Sequence, residues 1–356
     1  MKKFFLLAAA AVMVFASCSK NDQPEQREAA IAFSSYTGRA ISKADAGSFI
    51  GKGSTALLDK SKFAVYAYAT GADPFDGTNT SNVFMNNVEV TYAGGGADVE
   101  TNYTYSPLRY WPNDEANNKL SFFATYPYGG TGISGSGFGA YTFTAQTDPA
   151  AMVDFIVSEV APDQVYSTTN SGKKGVVKMK FHHALSMVKF KVNTDADYAT
   201  DGTVITLKSI KVAAVNTVGT VTPTFASGAT TFAWSAQGTP AEFTVFSGSQ
   251  ALDETAVTVP TGTEADDAYL MVPQELSDDV IVTIVYTVKT GSDAEIENTA
   301  TVVLNLAKDS SGAEIDEWAM NQNTVYTFTV GLKPIKFIAS VYDWDEETIS
   351  TIAIPE

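Results

Sequence analysis

Short apolar runs, broken every few residues by turn-forming clusters, set the strongest limit on what this chain can fold into. The runs FAVYAYAT (63–70), NVEVTYA (87–93), LSFFATY (120–126), AYTFTA (140–145) and VDFIVSEV (153–160) either alternate or are rich in β-branched and aromatic residues. Between them lie GADPFDGTNTSN, AGGGAD and GGTGISGSGFG, whose Gly, Asn, Asp and Pro residues favour turns. In FAVYAYAT, Phe63, Val65, Ala67 and Ala69 fall on one face of a strand. No window carries a long helical period. Regularly spaced strands joined by such turns predict an all-β sandwich architecture rather than strand–helix–strand units.

The polar stretch STTNSGKKG (167–175) predicts a boundary between two domains, at residues 41–170 and 171–356. A second strand series follows it. In LSMVKFKV (185–192) one face carries Val188, Phe190 and Val192 and the other Lys189 and Lys191, which predicts a half-buried antiparallel strand. DVIVTIVYTVKT (279–290) is apolar on both faces and predicts a central strand. EIDEWAMNQ (314–322) is the best candidate for a short helix.

Charge narrows the function classes. Lys and Arg number 23 against 40 Asp and Glu, a net charge of −17, which repels a phosphate backbone and excludes nucleic acid as a partner. Two His and one Cys cannot build a Cys/His zinc cluster or a disulfide framework. His182 and His183 are adjacent on an expected strand, so their side chains point to opposite faces and read as a structural pair at a domain seam. The acidic clusters Asp73–Asn79, Glu264–Asp267 and Asp343–Glu347 read as solvated loops, and the first lacks calcium-loop spacing. Trp111, Trp234, Trp318 and Trp344 sit beside apolar runs and read as packing residues rather than glycan platforms. No nucleophile elbow or phosphate-binding loop is present, so the reading is a non-enzyme with no cofactor, no catalytic residue and no metal.

The N-terminus supplies an address. Met1-Lys2-Lys3 precedes an apolar run, Phe4 to Phe15, too short to span a bilayer. Ala16-Ser17 then lead into the only cysteine of the chain, Cys18. This resembles a bacterial lipoprotein signal, which implies that residues 1–17 are a signal peptide and that Cys18 carries lipid. Residues 19–28 are polar and read as a tether. Lys20-Asn21-Asp22 is similar to surface-export signals of some anaerobes' lipoproteins.

Six stretches occur in a characteristic order: RYWPNDEANNKLSFFATYP (109–127), DFIVSE (154–159), KMKFHHALSMVKFKV (178–192), YLMVPQEL (269–276), WAMNQNTVYTFTVGL (318–332) and SVYDWDEE (340–347). Together they resemble the fimbrillin-like family, type V pilus subunits of Gram-negative oral and gut anaerobes. The resemblance implies two transthyretin-like β-sandwich domains in tandem and a lipid-anchored precursor at the outer membrane. It further implies a fimbria subunit or adhesin whose partners are other fimbrial subunits, in a homo- or hetero-polymer, and a host or bacterial surface receptor. In the family, cutting after an Arg near the start removes the first strand and opens a groove for polymerisation. Here Arg39, in the small-residue turn TGRA after the short strand AAIAFSSY, is the processing candidate, and residues 18–40 hold the tether and removable strand. The donor candidate is the segment 335–354, in which Ile335, Phe337, Ala339 and Val341 share a face and Ile352 and Ile354 extend the apolar set. For residues 335–343 an ordinary intramolecular strand is the competing reading. A surface lipoprotein that binds glycans or host proteins without polymerising is the alternative function.

Overall fold

The structure, a computed structural model, describes residues 26–36, 62–93, 103–113, 117–146, 152–167, 175–238, 240–260, 268–308, 312–332 and 336–343. Among these the regular elements are strands and two short 3-10 turns, and no helix is long and apolar enough to cross a membrane. The all-β expectation holds.

In the first half the strands are β1 (Gln26–Ala30), β2 (Ala32–Tyr36), β3 (Lys62–Gly71), β4 (Val83–Tyr92), β5 (Tyr103–Tyr105) and β6 (Tyr110–Pro112). They continue with β7 (Lys119–Tyr126), β8 (Ile133–Gly135), β9 (Tyr141–Thr144), β10 (Ile156–Ser158), β11 (Ala161–Gln164) and β12 (Val176–His183). One sheet runs β2-β12-β10-β7-β3-β4-β5, with β11 also on β7, while β1 pairs with β6. Both faces of this sheet are apolar. Phe63, Val65 and Ala67 of β3 enter one core with Trp111, Phe122, Val177 and Met179. Their neighbours Ala64, Tyr66 and Tyr68 enter a second, larger core.

In the second half come β13 (Ser186–Thr194), β14 (Thr203–Val215), β15 (Val218–Ala226), β16 (Ala229–Gln237), β17 (Ala241–Leu252), β18 (Val257–Val259) and β19 (Tyr269–Met271). The last six are β20 (Gln274–Glu275), β21 (Ile281–Thr290), β22 (Ile296–Val303), β23 (Glu317–Trp318), β24 (Gln322–Val330) and β25 (Lys336–Asp343). Two sheets dominate, β18-β13-β24-β25 with β19 also on β13, and β17-β14-β21-β22. Rings join them: Phe243 of β17 meets Tyr269 of β19 edge-on at 5.1 Å, and the Tyr269 hydroxyl donates to the Val245 carbonyl at 2.5 Å. The central placement expected for residues 279–290 is found, with β21 between β14 and β22.

Four expectations need correction. First, β12 joins the first sheet through β10 and β2, so the change of sheet falls between His183 and Ser186 rather than at residues 170/171. Second, the halves interlock. The hairpin β15–β16 pairs with β9 in the order β16-β15-β9-β8, and this sheet covers the larger-core face of the first sheet. Phe75 and Phe225 lie 5.3 Å apart across that contact, and Phe123 and Phe138 meet edge-on at 5.3 Å. Third, β13 is mixed rather than purely antiparallel. It runs parallel to β24 over eight residue pairs, and Lys189 is buried, 1% exposed. Fourth, residues 314–322 form no helix. Ile315 and Trp318 are both buried, an i, i+3 spacing that mimics a helix face, but Glu317–Trp318 pairs with Gln274–Glu275. Asn321 then takes a positive φ of 63° to turn into β24.

Candidate functional site

Apolar spacing explains why the N-terminal segment is held. Ile31 and Phe33 are two apart, so both point to one face of an extended chain, and both are fully buried, 1% and 0% exposed. Around Phe33 the rings of Tyr105 and Phe122 pack edge-on at 5.5 and 5.8 Å, and Trp111 lies 6.0 Å from Phe122. The segment bridges two rims of the first half. β1 lies antiparallel on β6, and β2 lies parallel on β12 with Ala32 opposite Val176 and Tyr36 opposite Lys180. At the crossing, the Ile31 amide donates to the Arg109 carbonyl at 2.9 Å, and its carbonyl accepts from the Tyr105 hydroxyl at 2.9 Å.

One glycine sets the groove floor. The Gly175 carbonyl accepts from the Ala32 amide at 2.9 Å and from Trp111 Nε1 at 3.3 Å. Its φ is +90°, and a Cβ there would stand 3.2 Å from Trp111 Nε1. Only glycine takes that backbone without strain. Beside the groove, an open pocket of about 500 Å³ is lined by Glu89, Thr91, Thr104, Tyr105 and Ser106. Tyr105 is thus a wall shared by the pocket and the N-terminal strand.

The C-terminal candidates divide. β25 lies antiparallel on β24, with Phe337 opposite Phe328, Ala339 opposite Tyr326 and Val341 opposite Thr324. Ala339 is buried and Val341 packs against the larger core. Residues 336–343 are therefore an intramolecular edge strand, the competing reading for that stretch. Cys18, Arg39, Ile335, Ile352 and Ile354 lie outside the described residues, as do Trp344 and residues 264–267.

The other motifs resolve into packing. His182 and His183 do face apart. His183 Nδ1 and Asp154 Oδ2 lie 2.5 Å apart, both buried, while His182 Nε2 contacts Glu159 Oε1 at 2.8 Å near the surface. Glu159 also accepts from Lys180 Nζ at 2.6 Å. Partial burial pushes the Glu159 carboxyl up, but the Lys180 and His182 contacts outweigh it and hold it below the usual carboxylate range. Asp76 is occupied within its own turn, accepting from the Thr78 amide at 2.7 Å and the Asn79 amide at 2.9 Å. The Thr78 amide, then that of Asn79 and the Thr78 hydroxyl, lower its pKa. Trp111 and Trp318 are core residues, 2% and 1% exposed, and Trp318 Nε1 donates to the Tyr326 hydroxyl at 3.0 Å. Among the described residues no three His, Cys, Asp or Glu side chains gather as a metal site. Sequence reasoning found the short first strand but not the depth of Phe33. The i, i+2 spacing of Ile31 and Phe33 was the available signal.

Fold and site together define an all-β protein whose own N-terminal strand fills an apolar groove in its first half. The chain belongs to the fimbrillin-like family, whose sequence profile matches residues 53–344. Membership supports a fimbrial or adhesion subunit role, a cell-surface location and a non-enzymatic character. A fimbrial protein from Bacteroides vulgatus has the same fold, with a TM-score of 0.60 at 20% identity over 89% of this chain and 100% of that one. A protein assigned to cell adhesion from Bacteroides uniformis matches with a TM-score of 0.51 at 15% identity, over 89% of this chain and 98% of that one. Among curated proteins nothing matches.

Proposed function

We propose that this protein is a structural subunit or adhesin of a cell-surface fimbria, carried as a lipid-anchored precursor on Cys18 and assembled by strand exchange after cleavage at Arg39. The observation that carries the reading is the burial of Ile31 and Phe33 on a strand held at a sheet rim. Arg39 follows β2 by three positions, so cutting there frees the bridging segment from the rest of the chain. Its departure uncovers an apolar groove and the backbone edge of β12, a template for an incoming strand.

Energetics decide what can replace it. Burying Ile31 and Phe33 is worth about 1.5–3 kcal/mol each, and each ladder hydrogen bond on the order of 1 kcal/mol net. A donor must match both. Ile352 and Ile354 repeat the two-residue apolar spacing of Ile31 and Phe33. Because β25 is paired within the chain, the reading assigns the donor to residues after Asp343 and leaves Ala339 and Val341 in their own sheet. Other fimbrial subunits are the partners.

Deletion of residues 348–356 tests this. The truncated chain should keep a near-wild-type melting temperature yet form no oligomers after Arg-specific cleavage. Unfolding of the truncated chain, or cleaved wild type that stays monomeric at high concentration, would overturn the donor-strand reading.

A further inference from the structure

Among the described residues the longer sheet-edge strands are guarded, with β16 the exception; β2, uncharged as well, is the five-residue strand already described at the groove. β17 carries Glu242 and three register shifts against β14. β22 carries Glu297 and lies beside the Lys208–Glu295 ion pair at 3.0 Å. β25 is bounded by Lys336 and Asp343, and β8 spans three residues. These are the devices by which natural edges avoid pairing with other chains. β16, ATTFAWSAQ, has none of them. It holds nine residues without charge, proline or glycine, and its register against β15 is unbroken from Ala229 to Gln237. Among the described residues its only ladder partner is β15, and the Thr230 hydroxyl accepts from the Val160 amide at 2.9 Å.

We infer that β16 is a docking edge for β16 of a second copy, paired antiparallel about a two-fold axis at Ala233. Self-complementarity points to that occupant. Pairing about residue 233 sets 232 against 234 and 231 against 235. On the core-facing side Phe232 then meets Trp234, both half-buried, twice by symmetry. On the outer side the exposed Thr231 meets Ser235, and Ala233 meets itself. Aromatic and hydroxyl cross-strand pairs are favourable, and a two-fold interface requires such reciprocity. Charge agrees: in a chain of net charge −17, this edge places no like charges opposite one another. The edge is also pre-organised. A Cβ on Gly219 would come within 2.4 Å of Val272 and 3.1 Å of the Trp234 ring, so the glycine leaves the space that seats Trp234. The inference does not depend on strand exchange, and the test uses uncleaved protein so that exchange cannot contribute.

Single cysteines placed in full-length chains carrying Arg39→Ala, oxidised on intact cells, read the register directly. Paired residues on neighbouring antiparallel strands have Cα atoms about 4.5–5.5 Å apart, within disulfide reach. Ala233→Cys should therefore yield a reducible homodimer at least tenfold above the wild-type background from Cys18. Thr231→Cys alone should not, because its symmetry mate stands four residues along, roughly 13 Å away. Thr231→Cys mixed with Ser235→Cys should cross-link again. Equal cross-linking by Thr231→Cys alone, no homodimer from Ala233→Cys, or a disulfide from Ala233→Cys to a different protein would each overturn the assignment.

Discussion

Phe33 is 0% exposed, yet it sits on the strand that assembly is proposed to remove. That pairing of roles has a measurable consequence. Truncating a buried Phe to Ala costs about 3–5 kcal/mol, so Phe33→Ala should lower the urea midpoint of the uncleaved chain markedly. Once Arg39 is cut, the severed segment should leave the variant at least tenfold faster than wild type, since each 1.4 kcal/mol is about a factor of ten. An unchanged midpoint would mean that Phe33 is not the anchor. Glu159 offers a test of the surface cluster. Its lowered pKa means it stabilises the folded state while ionised, above its unfolded value, and that this contribution fades as pH falls through the folded pKa. Glu159→Gln should therefore cost up to about 1 kcal/mol at pH 7, discounted because the pair is a third exposed. The difference from wild type should narrow once the pH falls below the ordinary glutamate value of about 4.3 and close as it passes through the lower folded value. A gap that persists at low pH would point to lost packing instead of lost charge.

At the scale of elements, the interlocked hairpin governs what can fold alone. Residues 41–170 lack β2, β12 and the β15–β16 pair that covers the larger-core face of their sheet. Expressed alone, that fragment should show no cooperative thermal transition, whereas the full chain should show one. A cooperative transition in the fragment would show that the hairpin is dispensable to the first half. This arrangement also explains which parts of the fold were legible. FAVYAYAT and DVIVTIVYTVKT were recognisable as strands because alternation and β-branching are local. The partner of each strand is not local. Val218 pairs with Thr144, and the Thr329 hydroxyl donates to Asn193 across 136 positions, so neither the β9–β15 register nor the parallel β13–β24 ladder leaves a mark in any single window. The polar stretch 167–175 looked like a boundary because it lacks apolar residues, but a polar loop can equally connect two strands of one sheet. Of the candidate site, the first strand was visible as AAIAFSSY. Its parallel seat on β12 was not, because Tyr36 and Val176 are separated by most of the first half.

Across the whole molecule, the account holds that a subunit is kept closed by its own first strand until proteolysis releases it. Polymer formation then depends on freeing the groove and not on concentration alone. The N-terminal residue of the subunits within purified surface fibres tests this most directly, read by mass spectrometry of intact chains. Fibre subunits should begin at Ala40, and Arg39→Ala cells should carry the chain as lipid-modified Cys18 protein outside any fibre. Fibres built from chains that still begin at Cys18 would contradict it.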